Sequence, residues 1–150
     1  MMKDDDDDEP EPVDPVLTNV VGAVFSGTNT PPADLTTSFS VGSQLVMYHQ
    51  LTDGTLRGPV GRYATGGTGI NAGTSQDSII VSGNQVFIAN GSNNPTNPAP
   101  EGRTSGTVSR FVYDEYGALL TSNVPSGGEN PIALALCGSI LYVCNAAFIN

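Results

Sequence analysis

Apolar residues come along this chain in short bursts, and never at a sustained helical period. "NVVGAVFS" (19–26) and "QLVMYHQL" (44–51) are apolar runs of strand length, rich in β-branched and aromatic residues. "SIIVSGNQVFIAN" (78–90) reads as two strands around Gly83-Asn84, and "IALALCGSILYVCN" (132–145) as two strands around Gly138-Ser139. "TVSRFVYD" (107–114) alternates and then turns at Glu115-Tyr116-Gly117, while Thr52-Asp53-Gly54-Thr55 is a turn of the same kind. No segment has helical spacing with caps at its ends, so the pattern predicts an all-β chain.

The strands repeat. "SIIVSGNQVFIAN" lies over "ALALCGSILYVCN" at a shift of 55 residues without a gap, matching Gly83 with Gly138, Phe87 with Tyr142 and Asn90 with Asn145. "LVMYHQLTDGTL" (45–56) lies over "VSRFVYDEYGAL" (108–119) at a shift of 63, matching Tyr48 with Phe111 and Gly54 with Gly117. Thr65-Gly66-Gly67 then matches Ser126-Gly127-Gly128. Four antiparallel strands recurring every ~50 residues are the signature of a β-propeller blade. The expected architecture is a partial β-propeller of about two to three four-stranded blades: three strands of a first blade, a full second one, and two strands of a third. Its ring would be incomplete. The hairpin 132–145 is apolar on both faces, so it should be buried on both sides. The Gly-Gly segments should cross from the outer strand of one blade to the inner strand of the next, where glycine lets backbones pass closely. The competing reading is a small β-sandwich whose repeat is accidental, against which the gapless match counts.

Taken in order, "YATGGTGINAGTSQDSIIVSGNQVFIAN" and "VPSGGENPIALALCGSILYVCNA", with "DGTL" at 53–56, resemble the amino-terminal part of the seven-bladed lactonase-type β-propellers, which include 6-phosphogluconolactonase-like and carboxymuconate-cyclase-like proteins. The resemblance spans roughly residues 20–146. It implies an amino-terminal portion of a lactone hydrolase or a lactone-forming cycloisomerase, inactive until the ring is completed. A non-catalytic propeller used for binding or as a scaffold is the alternative. A seven-bladed ring needs about twice this length, and the insertions 30–41 and 91–105 depart from a simple blade.

Charge divides the chain into a tail and a folded part. The net charge is -10, but residues 1–15 hold eight acids and one lysine, leaving seven acids and four arginines elsewhere. Asp4 to Asp8 with Glu9 repel one another, so residues 1–18 read as an acidic disordered tail and 19–150 as the domain. A docking tail or weak cation site is the other reading. The balanced remainder has no basic patch for nucleic acid. There is no apolar leader after the start and no apolar run of membrane-spanning length, so a soluble protein is expected, its compartment unspecified. Open blade edges suggest self-association.

Candidate chemistry gathers at the two Gly-Gly segments. Asn71, Thr74, Ser75, Gln76 and Asp77 follow the first, and Glu129 and Asn130 the second. A lactone site needs donors for the carbonyl oxygen and a group that activates water. Asp77 or Glu129 would be the base, Gln76 and Asn130 the donors, with Asn71 and Ser75 also in contact with a small-molecule lactone. The competing reading is turn capping, since Asp, Asn and Ser bond to nearby backbone. His49, the sole histidine, falls on an outer strand and reads as a surface residue, and Arg57, Arg62, Arg103 and Arg110 as scattered solvated side chains. One histidine is too few for a zinc set, so no metal is expected, and an organic cofactor stays unspecified. Cys137 would pair with Ile140 and Cys144 with Ala133, too far apart for a disulfide, both as small buried hydrophobes. Asn90-Gly91-Ser92 is a glycosylation sequon that a turn role explains better.

Overall fold

In the computed structural model the described residues are 17–28, 42–69, 78–91 and 105–146. They form nine strands and no helix: β1 (Val20–Gly27), β2 (Gln44–Leu51), β3 (Leu56–Ala64), β4 (Ile79–Ser82), β5 (Gln85–Asn90), β6 (Ser105–Tyr113), β7 (Ala118–Glu129), β8 (Pro131–Cys137) and β9 (Ile140–Asn145). The sheets are β1-β2-β3, β4-β5-β6-β7 and β8-β9, each antiparallel and in sequence order, and none closes on itself. Residues 1–16 of the acidic tail lie outside the described residues, while Leu17 and Thr18 turn into β1, the Leu17 carbonyl accepting from the Val20 amide at 3.1 Å.

The hairpin repeat holds in register. Ile79 pairs with Ile88 and Val81 with Val86, while Leu134 pairs with Val143 and Leu136 with Leu141, each at the shift of 55. The turn glycines take nearly the same φ, 56° at Gly83 and 59° at Gly138. The second repeat is less regular. β2 and β6 correspond at the shift of 63, and each pairing with the next strand carries a bulge at the same place, between Met47 and His49 and between Arg110 and Phe111. The first bulge holds more residues on β3, from Gly58 to Val60, than the second holds on β7, at Thr121. The correspondence of β3 with β7 therefore drifts to 61 by the time Thr65 meets Ser126. Bulges insert residues on one strand only, so no constant sequence shift survives them.

The core lies between the first two sheets. Leu45 of β2, Val86 and Ile88 of β5 and Phe111 of β6 are buried, and Phe25, Tyr63, Ile79, Tyr113 and Ala118 pack around them. Each fully buried side chain of this size contributes about 1.5–3 kcal/mol. Phe25 and Tyr113 meet edge to face at 4.7 Å and 67°, worth about 0.5–1.5 kcal/mol beyond area alone. β8 lies against β4, β5 and β6, and Gly106 of β6 marks the close approach: a Cβ there would overlap the Pro131 ring.

Four expectations change. The hairpin β8-β9 is covered on one face only, with Leu134 buried but Ile140 and Tyr142 more than half exposed. Cys137 and Cys144 are paired as expected but exposed rather than buried, because they fall on the uncovered side. The second Gly-Gly segment belongs to the end of β7 and is no loop, leaving Asn130 alone between β7 and β8. His49 lies on the middle strand of its sheet and is buried, with β1 on one side and β3 on the other.

Candidate functional site

The ends of the sheets differ in chemistry. At one end lie the hairpin turns 52–55, 83–84 and 114–117. Here His49 Nε2 donates to the Glu115 carbonyl at 2.7 Å, and Arg57 approaches Nδ1 at 3.4 Å. A carbonyl only accepts, so Nε2 carries the proton and Nδ1 is the acceptor toward the guanidinium. The histidine thus ties β2 to the β6–β7 turn. Arg57 and Arg110 are half-buried rather than solvated, the latter donating to Gln85 Oε1 at 2.8 Å.

The opposite end carries the Gly-Gly segments and a cluster of hydroxyls and amides. Gly66 and Gly127 both take left-handed backbone, at φ 77° and 81°. In each motif the preceding hydroxyl accepts from the amide of the second glycine at 3.4 Å, Thr65 from Gly67 and Ser126 from Gly128. A side chain at the first glycine would be strained, which is why the same dipeptide recurs.

Each motif is tied to the following sheet. Thr65 donates its hydroxyl to the Ser43 carbonyl at 2.9 Å. Its own carbonyl accepts from Ser109 Oγ and from Asn123 Nδ2, which joins β3 to β6 and β7. Asn90 Nδ2 donates to Ser109 Oγ at 2.8 Å and Thr107 Oγ1 at 3.2 Å. Ser126 Oγ donates to Asn145 Oδ1 at 2.7 Å, and Asn145 Nδ2 returns a bond to the Ser126 carbonyl at 3.2 Å. Asn90 and Asn145 therefore do more than end a strand: they bond across to neighbouring strands. Asn90 is fully buried, so its amide is inaccessible to glycosylation in the folded chain.

Of the residues singled out by sequence, Glu129 and Asn130 are described and adjoin this cluster. Glu129 ends β7, half-buried, its backbone paired with Ser105. Asn130 is buried at φ 47°, and its carbonyl accepts from the Ala146 amide at 2.9 Å. Asparagine tolerates this left-handed conformation better than most residues, which lets one residue turn β7 into β8. Asn71, Ser75, Gln76 and Asp77 lie outside the described residues.

Sequence reasoning passed over Ser43, Thr68, Thr107 and Ser109, all buried. Thr107 and Ser109 carried a signal: they flank Val108 in a strand that is otherwise largely apolar, so one polar stripe enters the interior. Among the described residues no three His, Cys, Asp or Glu side chains gather to hold a metal. The cluster's hydroxyls and amides suit uncharged polar groups, with Glu129 as the adjoining acid. No protein-family model, curated protein or solved structure matches this chain.

Proposed function

We propose that the repeating sheets are blades of a lactonase-type β-propeller and that the Gly-Gly end receives a small sugar or muconate lactone. The observation that supports this most is the recurrence of a hairpin in register and, at a drifting spacing, of a hydroxyl-Gly-Gly segment bonded to the next sheet. In this reading Glu129 or Asp77 activates water, and Asn130 and Gln76 donate to the lactone carbonyl, with Asn71 and Ser75 orienting the ligand. Turnover of sugar lactones and muconolactone by the full chain, at concentrations where copies associate to complete the ring, tests it. Either Glu129→Gln or Asp77→Asn should abolish turnover while leaving the far-UV spectrum unchanged. Absence of both turnover and lactone binding at millimolar concentration overturns it.

A second reading, a non-catalytic binding module, is favoured by the neutral character of the described cluster and by the placement of His49 at the other end of β2. Lactone binding without turnover would select it. Either reading includes self-association. Among the described residues β9 pairs with β8 alone, and the uncovered face of this hairpin presents Ile140 and Tyr142. Tyr142→Lys should then weaken the concentration-dependent association seen by sedimentation; a chain that stays monomeric at all concentrations removes this part.

A further inference from the structure

Three side-chain oxygens among the described residues are buried and find no hydrogen-bond partner among the protein's own groups: Ser43 Oγ, Thr68 Oγ1 and Asn90 Oδ1. Their residues lie along one ladder of backbone bonds. Ser43 N donates to the Gly67 carbonyl at 2.8 Å, Thr68 follows Gly67, and the Thr68 carbonyl accepts from the amide of Gly91, next to Asn90, also at 2.8 Å. A buried polar atom left unpaired is costly, and such atoms generally have partners.

The orientation of Asn90 follows from its neighbours. Ser109 has one hydroxyl proton and gives it to the Thr65 carbonyl, so toward Asn90 it can only accept. The amide nitrogen must therefore face Ser109, which turns Oδ1 away. In the equivalent place Ser126 faces two acceptors, the Gly128 carbonyl at 3.0 Å and Asn145 Oδ1 at 2.7 Å, and its proton goes to the nearer, the asparagine. Thr65 cannot do the same for Asn90, because its proton goes to the Ser43 carbonyl.

We infer that Ser43, Thr68 and Asn90 bind an internal water that bonds the first sheet to the second. Water meets the demands of the three oxygens. It donates to Asn90 Oδ1, which can only accept, and it exchanges bonds with two hydroxyls that both donate and accept, giving the three partners typical of a buried water. A sodium or potassium ion suits them poorly: three neutral oxygens do not offset the loss of its hydration shell.

Water-proton relaxation dispersion on the full chain tests the inference, with Thr68→Val and Ser43→Ala alongside. Thr68→Val removes a hydroxyl at nearly constant shape, and far-UV spectra establish that each variant folds. The parent should show a long-lived water signal, with water cross-peaks at the Asn90 side-chain amide, and each folded variant should lose part or all of it. A signal unchanged in both variants overturns the inference, as does its absence from the parent. Crystals grown with rubidium give a second reading. An anomalous peak between the three side chains would assign the site to a monovalent cation and overturn the water; a light oxygen-sized peak without anomalous signal upholds it.

Discussion

Ser126 and Asn145 exchange two hydrogen bonds, hydroxyl to amide oxygen at 2.7 Å and amide nitrogen to carbonyl at 3.2 Å, clasping the end of β7 to the end of β9. The two residues are nineteen apart in sequence, and the pair is half-buried. Ser126→Ala and Asn145→Ala should each destabilise the chain by about 1–2 kcal/mol, because each leaves a partner unsatisfied. In a double-mutant cycle read by urea unfolding, the pair should show a coupling of about 0.5–1.5 kcal/mol. Additive losses would mean that the clasp carries no energy.

Gly66 and Gly127 take the same left-handed conformation but differ in surroundings. A Cβ at Gly127 meets nothing, whereas one at Gly66 would sit 2.7 Å from Asn123 Nδ2. Gly127→Ala should therefore cost only the conformational penalty, about 1–2 kcal/mol. Gly66→Ala should cost more, because Asn123 must also leave the Thr65 carbonyl. Thermal midpoints of the two variants check the order.

Burial of His49 makes a structural role testable. His49→Leu removes the bond to the Glu115 carbonyl and should lower stability by about 1–2 kcal/mol. Hydrogen exchange should quicken at the Tyr116 and Gly117 amides, which hold the same turn through Asp114. A surface histidine would leave both measurements unmoved.

Asp53 is the described acid whose titration the fold displaces. Bonds from the Thr55 hydroxyl at 2.7 Å and the Thr55 amide at 2.9 Å favour its charged form and hold its pKa below the ordinary 3.8. A carboxylate whose folded pKa is depressed contributes stability above its unfolded pKa and loses it as pH falls through the folded value. The β2–β3 turn should thus hold above the ordinary carboxylate value of 3.8 and loosen only in stronger acid. The Thr55 amide shift should follow an apparent pKa below 3.8, and Asp53→Asn should abolish that titration.

Both cysteines should react with a thiol reagent in the folded chain, since both are exposed. Mild oxidation should give no intramolecular disulfide, because Cys137 lies beside the β8–β9 turn and Cys144 near the far end of the same hairpin. Thiols that react only after unfolding would return them to the core.

Local patterns made the strands legible. Short apolar bursts, turn glycines and the gapless 55-residue match placed all the hairpins, down to the pairing of Cys137 with Ile140 and of Ala133 with Cys144. The same patterns could not say which face of a strand is covered, because an apolar residue looks alike in sequence whether a neighbour packs on it or not. Leu134 and Tyr142 both read as core, and only the first is buried. Sequence likewise drew attention to the sole histidine and put it on the right strand, but read it as a surface residue, since whether a strand's face is covered depends on what packs against it.

For the candidate site, sequence located Glu129, Asn130 and the two Gly-Gly turns because glycine in left-handed backbone is a local requirement that spacing alone exposes. The partners of those turns were decided by the tertiary structure. Ser43 meets Thr65 where β2 pairs with β3, and Asn90 meets Ser109 where β5 pairs with β6, but the two pairs join only when the first two sheets pack. One hydroxyl has one proton, and which carbonyl receives it depends on neighbours distant in sequence. That is why equivalent asparagines, Asn90 and Asn145, end with different bonds.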